Sequence, residues 1–219
     1  MLTVLTDIEV RVLGSLVEKQ VTTPEYYPLT INSLMLACNQ KNNRHPVTAY
    51  TEDMVARAVE SLREKNLTYV FYGSTSRVPK YKHVMPEVLH LSHPQLALMC
   101  VLMLRGSQTI GELRERASRL HEFSSLEEVE ETLNSLITRE PENLVVRLSR
   151  QPGQKEVRFA HLLAGEVAAE VAAAAEEHSP RRTSSQTDRL SSLQEEVIAL
   201  KLQMEELRQQ FEGFKKQFE

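Results

Sequence analysis

Two stretches of the sequence, "TEDMVARAVESL" (residues 51–62) and "SLEEVEETLNSL" (residues 125–136), place apolar residues at the same positions. The shared positions are Val55, Val59 and Leu62 in the first stretch and Val129, Leu133 and Leu136 in the second. Residues spaced three and four apart lie on one side of a helix, so each stretch predicts an amphipathic helix with one apolar stripe. The match indicates an internal repeat.

Each of these helices leads into a sequence that is typical of a β-hairpin. The predicted strands are "LTYVFY" (67–72) and "RVPKYKHV" (77–84) in the first copy and "NLVVRLSR" (143–150) and "KEVRFAHL" (155–162) in the second. Their side chains alternate, and the pairs Gly73-Ser74 and Pro152-Gly153 supply the turns. The sequence therefore predicts two short antiparallel hairpins.

The repeat also extends toward the N-terminus of each copy. "TDIEVRVLGSLVEK" from Thr6 and "SHPQLALMCVLMLR" from Ser92 both begin with a helix-capping signature that is followed by apolar residues at helical spacing. "LTINSL" (29–34) and "QTIGEL" (108–113) predict a short second helix. Three helices and a hairpin make the winged-helix form of the helix-turn-helix. We therefore predict a mainly α protein with small β-hairpin wings, built from two tandem winged-helix domains.

The domain boundaries follow from this repeat and from a change of composition after residue 163. The two winged-helix domains are predicted to span residues 1–90 and 91–165. An Ala- and Glu-rich helix and a flexible linker, rich in Ser and charged residues, are predicted for residues 166–188. Residues 189–219 are predicted to form a C-terminal coiled-coil helix.

The coiled-coil prediction rests on apolar residues that alternate three and four apart. They are Leu190, Leu193, Val197, Leu200, Met204, Leu207, Phe211 and Phe214. One amphipathic helix packed against the rest of the chain would show a similar stripe, but an unbroken 3.5-residue period favours self-association. These residues are therefore the predicted dimerisation surface of a homodimer.

The chain also resembles a known family in several long blocks of sequence. They are "VEKQVTTPEYYPLTINSL" (17–34), "ACNQKNNRHPV" (37–47), "LRGSQTIGELRERA" (104–117) and "HLLAGEV" (161–167). Through these blocks the chain is similar to the YceH-like family of bacterial proteins of unknown function. The resemblance implies a tandem winged-helix architecture, and it implies no catalytic residue, cofactor or established ligand.

Cysteine usage and the apolar runs restrict the compartment. Cys38 and Cys100 lie in apolar helical contexts without the spacing of a metal site or a disulfide framework, which predicts reduced, buried thiols. The first residues lack the basic and apolar regions of a signal peptide. The longest apolar run, "LALMCVLML" (96–104), is shorter than the roughly 20 residues that span a bilayer. We expect a cytoplasmic protein with no membrane partner.

A polar run after the second helix, "NQKNNRH" (39–45), suggests nucleic-acid binding. Asn, Gln and Arg can read base edges, and Lys and Arg bind phosphates. Together with basic residues of the first hairpin, the run predicts a surface for double-stranded DNA. The predicted contact residues are Asn39, Gln40, Lys41, Asn43, Arg44, Arg77, Lys80 and Lys82. The alternative is that the run only caps the helix and satisfies the backbone of a long connection.

Charge limits that hypothesis to a local patch. Residues 1–90 hold ten basic and nine acidic residues, residues 91–165 hold nine and ten, and the remainder holds seven and eleven. No segment is strongly basic, as a general binder of nucleic acids would be. The third helix of the second copy carries Glu127, Glu128, Glu130 and Glu131, whose charges would repel phosphates.

No residue pattern predicts catalysis, a metal site or a cofactor. Cys38 and His45 lack a third catalytic partner at a recognisable spacing. His83, His90 and His93 lie close in sequence, but no acidic or thiol ligands are arranged with them. We expect a non-enzymatic, dimeric DNA-binding protein that acts as a transcription regulator. A winged-helix scaffold that binds another protein is the alternative, because near-neutral domains and acidic third helices suit it equally.

Overall fold

The structure, a computed structural model, describes residues 4–72, 78–150 and 156–165. In the first repeat, a 3₁₀ turn (Pro24–Tyr26) lies between the first two helices, and the elements are α1 (Asp7–Thr22), α2 (Ile31–Cys38), α3 (Glu52–Glu64), β1 (Thr68–Phe71) and β2 (Lys80–His83). A short helix, α4 (Met85–Val88), follows. The second repeat consists of α5 (His93–Arg105), α6 (Ile110–Ala117), α7 (Leu126–Ile137), β3 (Val145–Arg147) and β4 (Phe159–His161). The prediction of a mainly helical protein with two small antiparallel hairpins is confirmed.

Hydroxyl side chains fix where the shorter helices begin. Thr30 accepts a hydrogen bond from the backbone N–H of Ser33, and Thr109 accepts one from that of Glu112, so α2 and α6 begin at the residues that the sequence predicted. The helices α3 and α7 begin in the same way after Thr51 and Ser125. Each hydroxyl satisfies a backbone donor that the first turn of a helix leaves unpaired.

The two hairpins are shorter than the alternating sequence suggested, and each has a further backbone partner. In the first, Thr68 pairs with His83 and Phe71 with Lys80; in the second, three residues of each strand pair. Leu29, just before α2, exchanges two backbone hydrogen bonds with Tyr81, at 3.1 and 2.7 Å. Gln108, just before α6, does the same with Phe159, at 3.0 and 2.8 Å. Each hairpin is thereby tied to the start of the second helix of its own repeat.

The first helices of the two repeats pack against each other and join the two cores. Gly14 permits this close approach, since a Cβ atom at that position would lie 3.0 Å from Leu104 and 3.1 Å from Met103. The thiol of Cys100 lies 3.5 Å from the carbonyl oxygen of Gly14 and donates to it. Both cysteines are buried and free, as predicted. The apolar side chains of both repeats form one continuous cluster.

Several predictions concern residues outside the described ranges. They are the turns Gly73-Ser74 and Pro152-Gly153, the contact residue Arg77, the linker and helix at 166–188, and the coiled coil at 189–219 with its dimerisation residues from Leu190 to Phe214. The division into domains at residues 90 and 91 stays a prediction. Within the described ranges, no helix is long and apolar enough to cross a membrane.

Candidate nucleic-acid interface

Arg44, predicted to contact nucleic acid, lies inside the protein. Its side chain is fully buried, and its guanidinium group pairs with the Glu18 carboxylate of α1 through Nη1 (3.1 Å) and Nη2 (2.6 Å). Its Nε and Nη2 also donate to the carbonyl oxygen of Ala37, at 3.2 and 2.9 Å. That carbonyl is one that the end of α2 leaves without a helical partner. The prediction for Arg44 is therefore corrected: this side chain caps a helix and pairs with α1.

Further hydrogen bonds hold Asn39 and the two residues that flank the polar run, Cys38 and Pro46. Buried Arg11 of α1 donates to the carbonyl oxygens of Cys38 (3.3 Å) and Pro46 (2.7 Å). The Asn39 amide exchanges two 2.8 Å hydrogen bonds with the backbone of Tyr50, as a side chain that mimics a strand partner. Asn39 is thus also committed to the fold, which favours the capping alternative for the start of the run.

The middle of the run contacts the second repeat. The side-chain oxygen of Asn43 accepts a hydrogen bond from Arg105, and the backbone N–H of His45 donates to the carbonyl oxygen of Leu104 at 2.9 Å. Gln40 is half-buried and accepts a long bond from Arg44 (3.4 Å). Of the five predicted contact residues in the run, only Lys41 is exposed. The run therefore mainly stabilises the fold, and through Asn43 and His45 it connects the two repeats.

The first hairpin, in contrast, presents a basic and aromatic face. Tyr69 stands opposite Lys82 and Phe71 opposite Lys80, so that four neighbouring side chains share one side of the two strands. Tyr69 is 37% exposed and Phe71 42% exposed, and both lysines are half-buried. The ammonium group of Lys82 lies 4.4 Å from the centre of the Tyr69 ring, within cation–π range. We call Tyr69, Phe71, Lys80 and Lys82 the hairpin face.

The opposite side of the same strands is packed into the core. Thr68, Tyr81 and His83 are buried there. Burial, together with the smaller effect of the nearby Lys82 charge, lowers the pKa of His83 to about 4. The His83 side chain is therefore neutral at pH 7, and the charge of this hairpin comes from the lysines on its outer side. The sequence predicted the two lysines as contact residues but not Tyr69 and Phe71. The available signal was that Tyr69 and Phe71 lie two residues apart in β1, as Lys80 and Lys82 do in β2.

In the part of the second hairpin that the structure describes, no comparable face is present. Arg147 pairs with Glu130 of α7 at 3.4 Å and stacks over the buried Phe159 ring, 5.5 Å from its centre. Glu127 and Glu131, on the same helix as Glu130, are exposed, as predicted. The charge of this repeat at α7 is therefore unfavourable for a phosphate backbone.

The third helix of the first repeat, α3, carries four acidic and two basic residues, and both basic residues are paired. Arg57 pairs with Asp53, and Arg63 pairs with Glu60 at 2.8 Å, all four at exposed or half-exposed positions. Exposed pairs of this kind are held weakly and can exchange for other partners.

Within the described part of the chain, no group of three or more His, Cys, Asp or Glu side chains could hold a metal ion.

Comparison with known sequences gives the family. The sequence profile of the family described as "Protein of unknown function, DUF480" matches residues 5–154. The chain belongs to this family. It is 50% identical to a UPF0502 protein of Opitutus terrae over 91% of its own length and 84% of that protein's. It is also 50% identical to the UPF0502 protein GSU0233 of Geobacter sulfurreducens, over 90% of each chain. The predicted resemblance to an uncharacterised bacterial family is confirmed.

Proposed function

We propose that the protein is a tandem winged-helix protein that binds double-stranded DNA through its first repeat. In each repeat, three helices are followed by a hairpin that a short extended segment joins at Leu29 or Gln108. This order and this third backbone partner match the sheet of a winged helix, in which the hairpin is the wing. A helix-turn-helix of this kind binds DNA with its third helix in the major groove.

The hairpin face is the observation that carries the proposal. Two lysines supply phosphate contacts, and the rings of Tyr69 and Phe71 supply flat apolar surface beside them. Exposed aromatic side chains between cations are a common arrangement on nucleic-acid surfaces. Lys41 adds an exposed cation in the same repeat. A wing of this composition would contact the backbone next to the groove that α3 enters.

We further propose that the protein acts as a homodimer through the heptads of residues 189–219. A dimer would present two first repeats, so that two modest contacts with one duplex add their binding free energies. In this way a protein without a strongly basic domain could reach a useful affinity, and it would act as a transcription regulator without catalysing a reaction.

The test is a fluorescence-anisotropy titration of the full-length protein with random duplex DNA at two salt concentrations. Binding should weaken steeply with salt, and the slope of log K against log salt concentration should be about −0.9 for each phosphate that the protein neutralises. The variant Phe71→Ala should weaken binding while keeping that slope, because the ring carries no charge. Absence of binding at low salt would contradict the proposal.

A protein-binding scaffold is the second candidate. The observation that favours it is α7, where the exposed Leu126 lies next to exposed Glu127 at the start of an acidic helix. An acidic surface with an exposed apolar residue suits a basic protein partner better than DNA. If DNA does not bind, co-purification with the wild type, but not with a Leu126→Lys variant, would identify such a partner.

A further inference from the structure

A polar cleft of about 650 Å³ lies where the 39–47 loop meets the second repeat. Its walls are the end of α5, the connection 106–108, the first turns of α6 and the second hairpin. The charged residues that line it are Arg44, Arg105, Glu112, Arg116 and Arg158. The Arg44 charge is matched by Glu18, so three guanidinium groups remain for the one carboxylate of Glu112. The cleft therefore has an excess of positive charge.

Glu112 holds two of these arginines in place. Its Oε1 lies 3.2 Å from Nη2 of Arg116, and its Oε2 accepts a 3.1 Å hydrogen bond from Nη1 of Arg158. Arg158 is fixed a second time, because Nη1 also donates to the carbonyl oxygen of Ser107 at 2.8 Å. Within the described part of the chain, the hydrogen bonds of the Arg158 side chain use Nη1 alone. Among those residues, its Nε and Nη2 have no hydrogen-bond partner.

The third guanidinium is crowded by like charges. Burial lowers the pKa of Arg105, and the charges of Arg116 and Arg44 lower it further, against a smaller opposing effect of Glu18 and Glu115. Burial raises the pKa of Glu112, but the hydrogen bond from the Thr109 backbone and the charges of Arg116 and Arg158 outweigh that effect and keep the carboxylate ionised. Like charges that are held together in a partly buried place cost free energy, which a bound anion would recover.

We propose that this cleft binds a small molecule that carries a phosphate group. A guanidinium group presents parallel N–H donors that match two phosphate oxygens, so fixed arginines suit this group better than a simple monovalent ion. The volume lies within the range of roughly 300–1,000 Å³ that is usual for small-molecule sites. The polar walls favour the charged end of a ligand. Because the 39–47 loop and the second repeat both line the cleft, the ligand would contact both repeats.

The test is the thermal unfolding of the full-length protein in inorganic phosphate, with sodium chloride adjusted to constant ionic strength, and then in adenosine monophosphate. With a Kd on the order of 1 mM, about 20 mM phosphate should raise Tm by roughly 4–7 °C. Phosphate also stabilises proteins by exclusion from their surfaces. The informative quantity is therefore the difference between the rise in the wild type and the rise in a variant.

Two variants and a matched control give that difference. Arg158→Gln should bind phosphate about tenfold more weakly or worse, and Arg158→Lys, which keeps the charge but not the planar fork, should fall between it and the wild type. The control Arg63→Gln removes the same charge from an exposed pair on α3 and should keep the full rise.

Equal rises in the wild type and Arg158→Gln, or no rise with either probe, would overturn the proposal. So would a variant that loses affinity for duplex DNA while its response to phosphate is unchanged, because Arg158 would then belong to a DNA surface. If the wild type does not bind DNA, the phosphate result is still valid, because the cleft does not include the hairpin face.

Discussion

At the scale of single residues, Arg44 shows why composition alone could not assign the polar run. A run of Asn, Lys and Arg looks the same whether its side chains face water or the interior. The partner that decides the matter is Glu18, 26 residues earlier in α1, and local sequence does not reveal that pairing. Buried Arg11, which binds two carbonyl oxygens of the same segment, was equally hidden within an amphipathic helix pattern.

Removing Arg44 should destabilise the fold strongly. Arg44→Gln leaves the Glu18 carboxylate without its partner and one carbonyl of α2 uncapped, so we expect a loss of about 3 kcal/mol in the free energy of unfolding, measured in urea. The exposed pair of Arg57 and Asp53 is the control, and Arg57→Gln should cost less than about 1 kcal/mol. Similar losses in the two variants would contradict the structural role of Arg44.

His83 should make stability depend on pH above the range in which carboxylates titrate. Its folded pKa of about 4 lies below the ordinary value of 6.5, so between these pH values the unfolded chain binds more protons. Stability should therefore fall as pH falls from about 6.5 toward 4, by about 2–3 kcal/mol for this residue. His83→Gln should reduce this dependence by about half, measured by urea unfolding at pH 7.5, 6 and 5, because His161, whose pKa burial also lowers to about 4, titrates in the same range. If the free energy of unfolding depends on pH in the same way in the variant and the wild type, the proposed role of His83 is wrong.

At the scale of elements, the sequence predicted the helices well and the strands less well. Capping residues such as Thr30 and Thr109 act within one turn, so they mark helix starts reliably. Strands depend on distant partners. Alternation predicted the first hairpin, but which side faces water depends on packing against the helices, and this explains why Tyr69 and Phe71 were missed. The backbone pairing of Leu29 with Tyr81 gave no local signal at all.

The crossing of α1 and α5 should tolerate no large side chain at Gly14. Gly14→Leu would push its side chain into Leu104 and Met103, and such overpacking costs about 2 kcal/mol or more. Gly111 of α6 is the matched control, because a Cβ atom there would meet no atom within 4 Å. Gly111→Ala should stabilise the protein by about 0.5–1 kcal/mol through helix propensity. Thermal unfolding of both variants measures the contrast, and a neutral Gly14→Leu would contradict the close packing.

At the scale of the whole molecule, truncation tests the proposed dimer. A chain that ends at Ser179 lacks the heptads, so it should sediment as a monomer while the full-length protein sediments as a dimer. A truncated chain that remains dimeric would show that the two repeats themselves associate. DNA affinity should fall together with dimerisation, because the second contact with the duplex is lost.

DNA binding by the hairpin face is tested most directly by comparing two double variants in anisotropy titrations with random duplex DNA at low salt. Lys80→Gln with Lys82→Gln removes the two cations of the hairpin face, and Arg119→Gln with Arg139→Gln removes the same charge from the second repeat. We expect the first variant to bind about tenfold more weakly or worse, with a salt slope that is smaller by about 2, and the second to bind like the wild type. Equal affinities and slopes for the two variants would contradict DNA binding by this face.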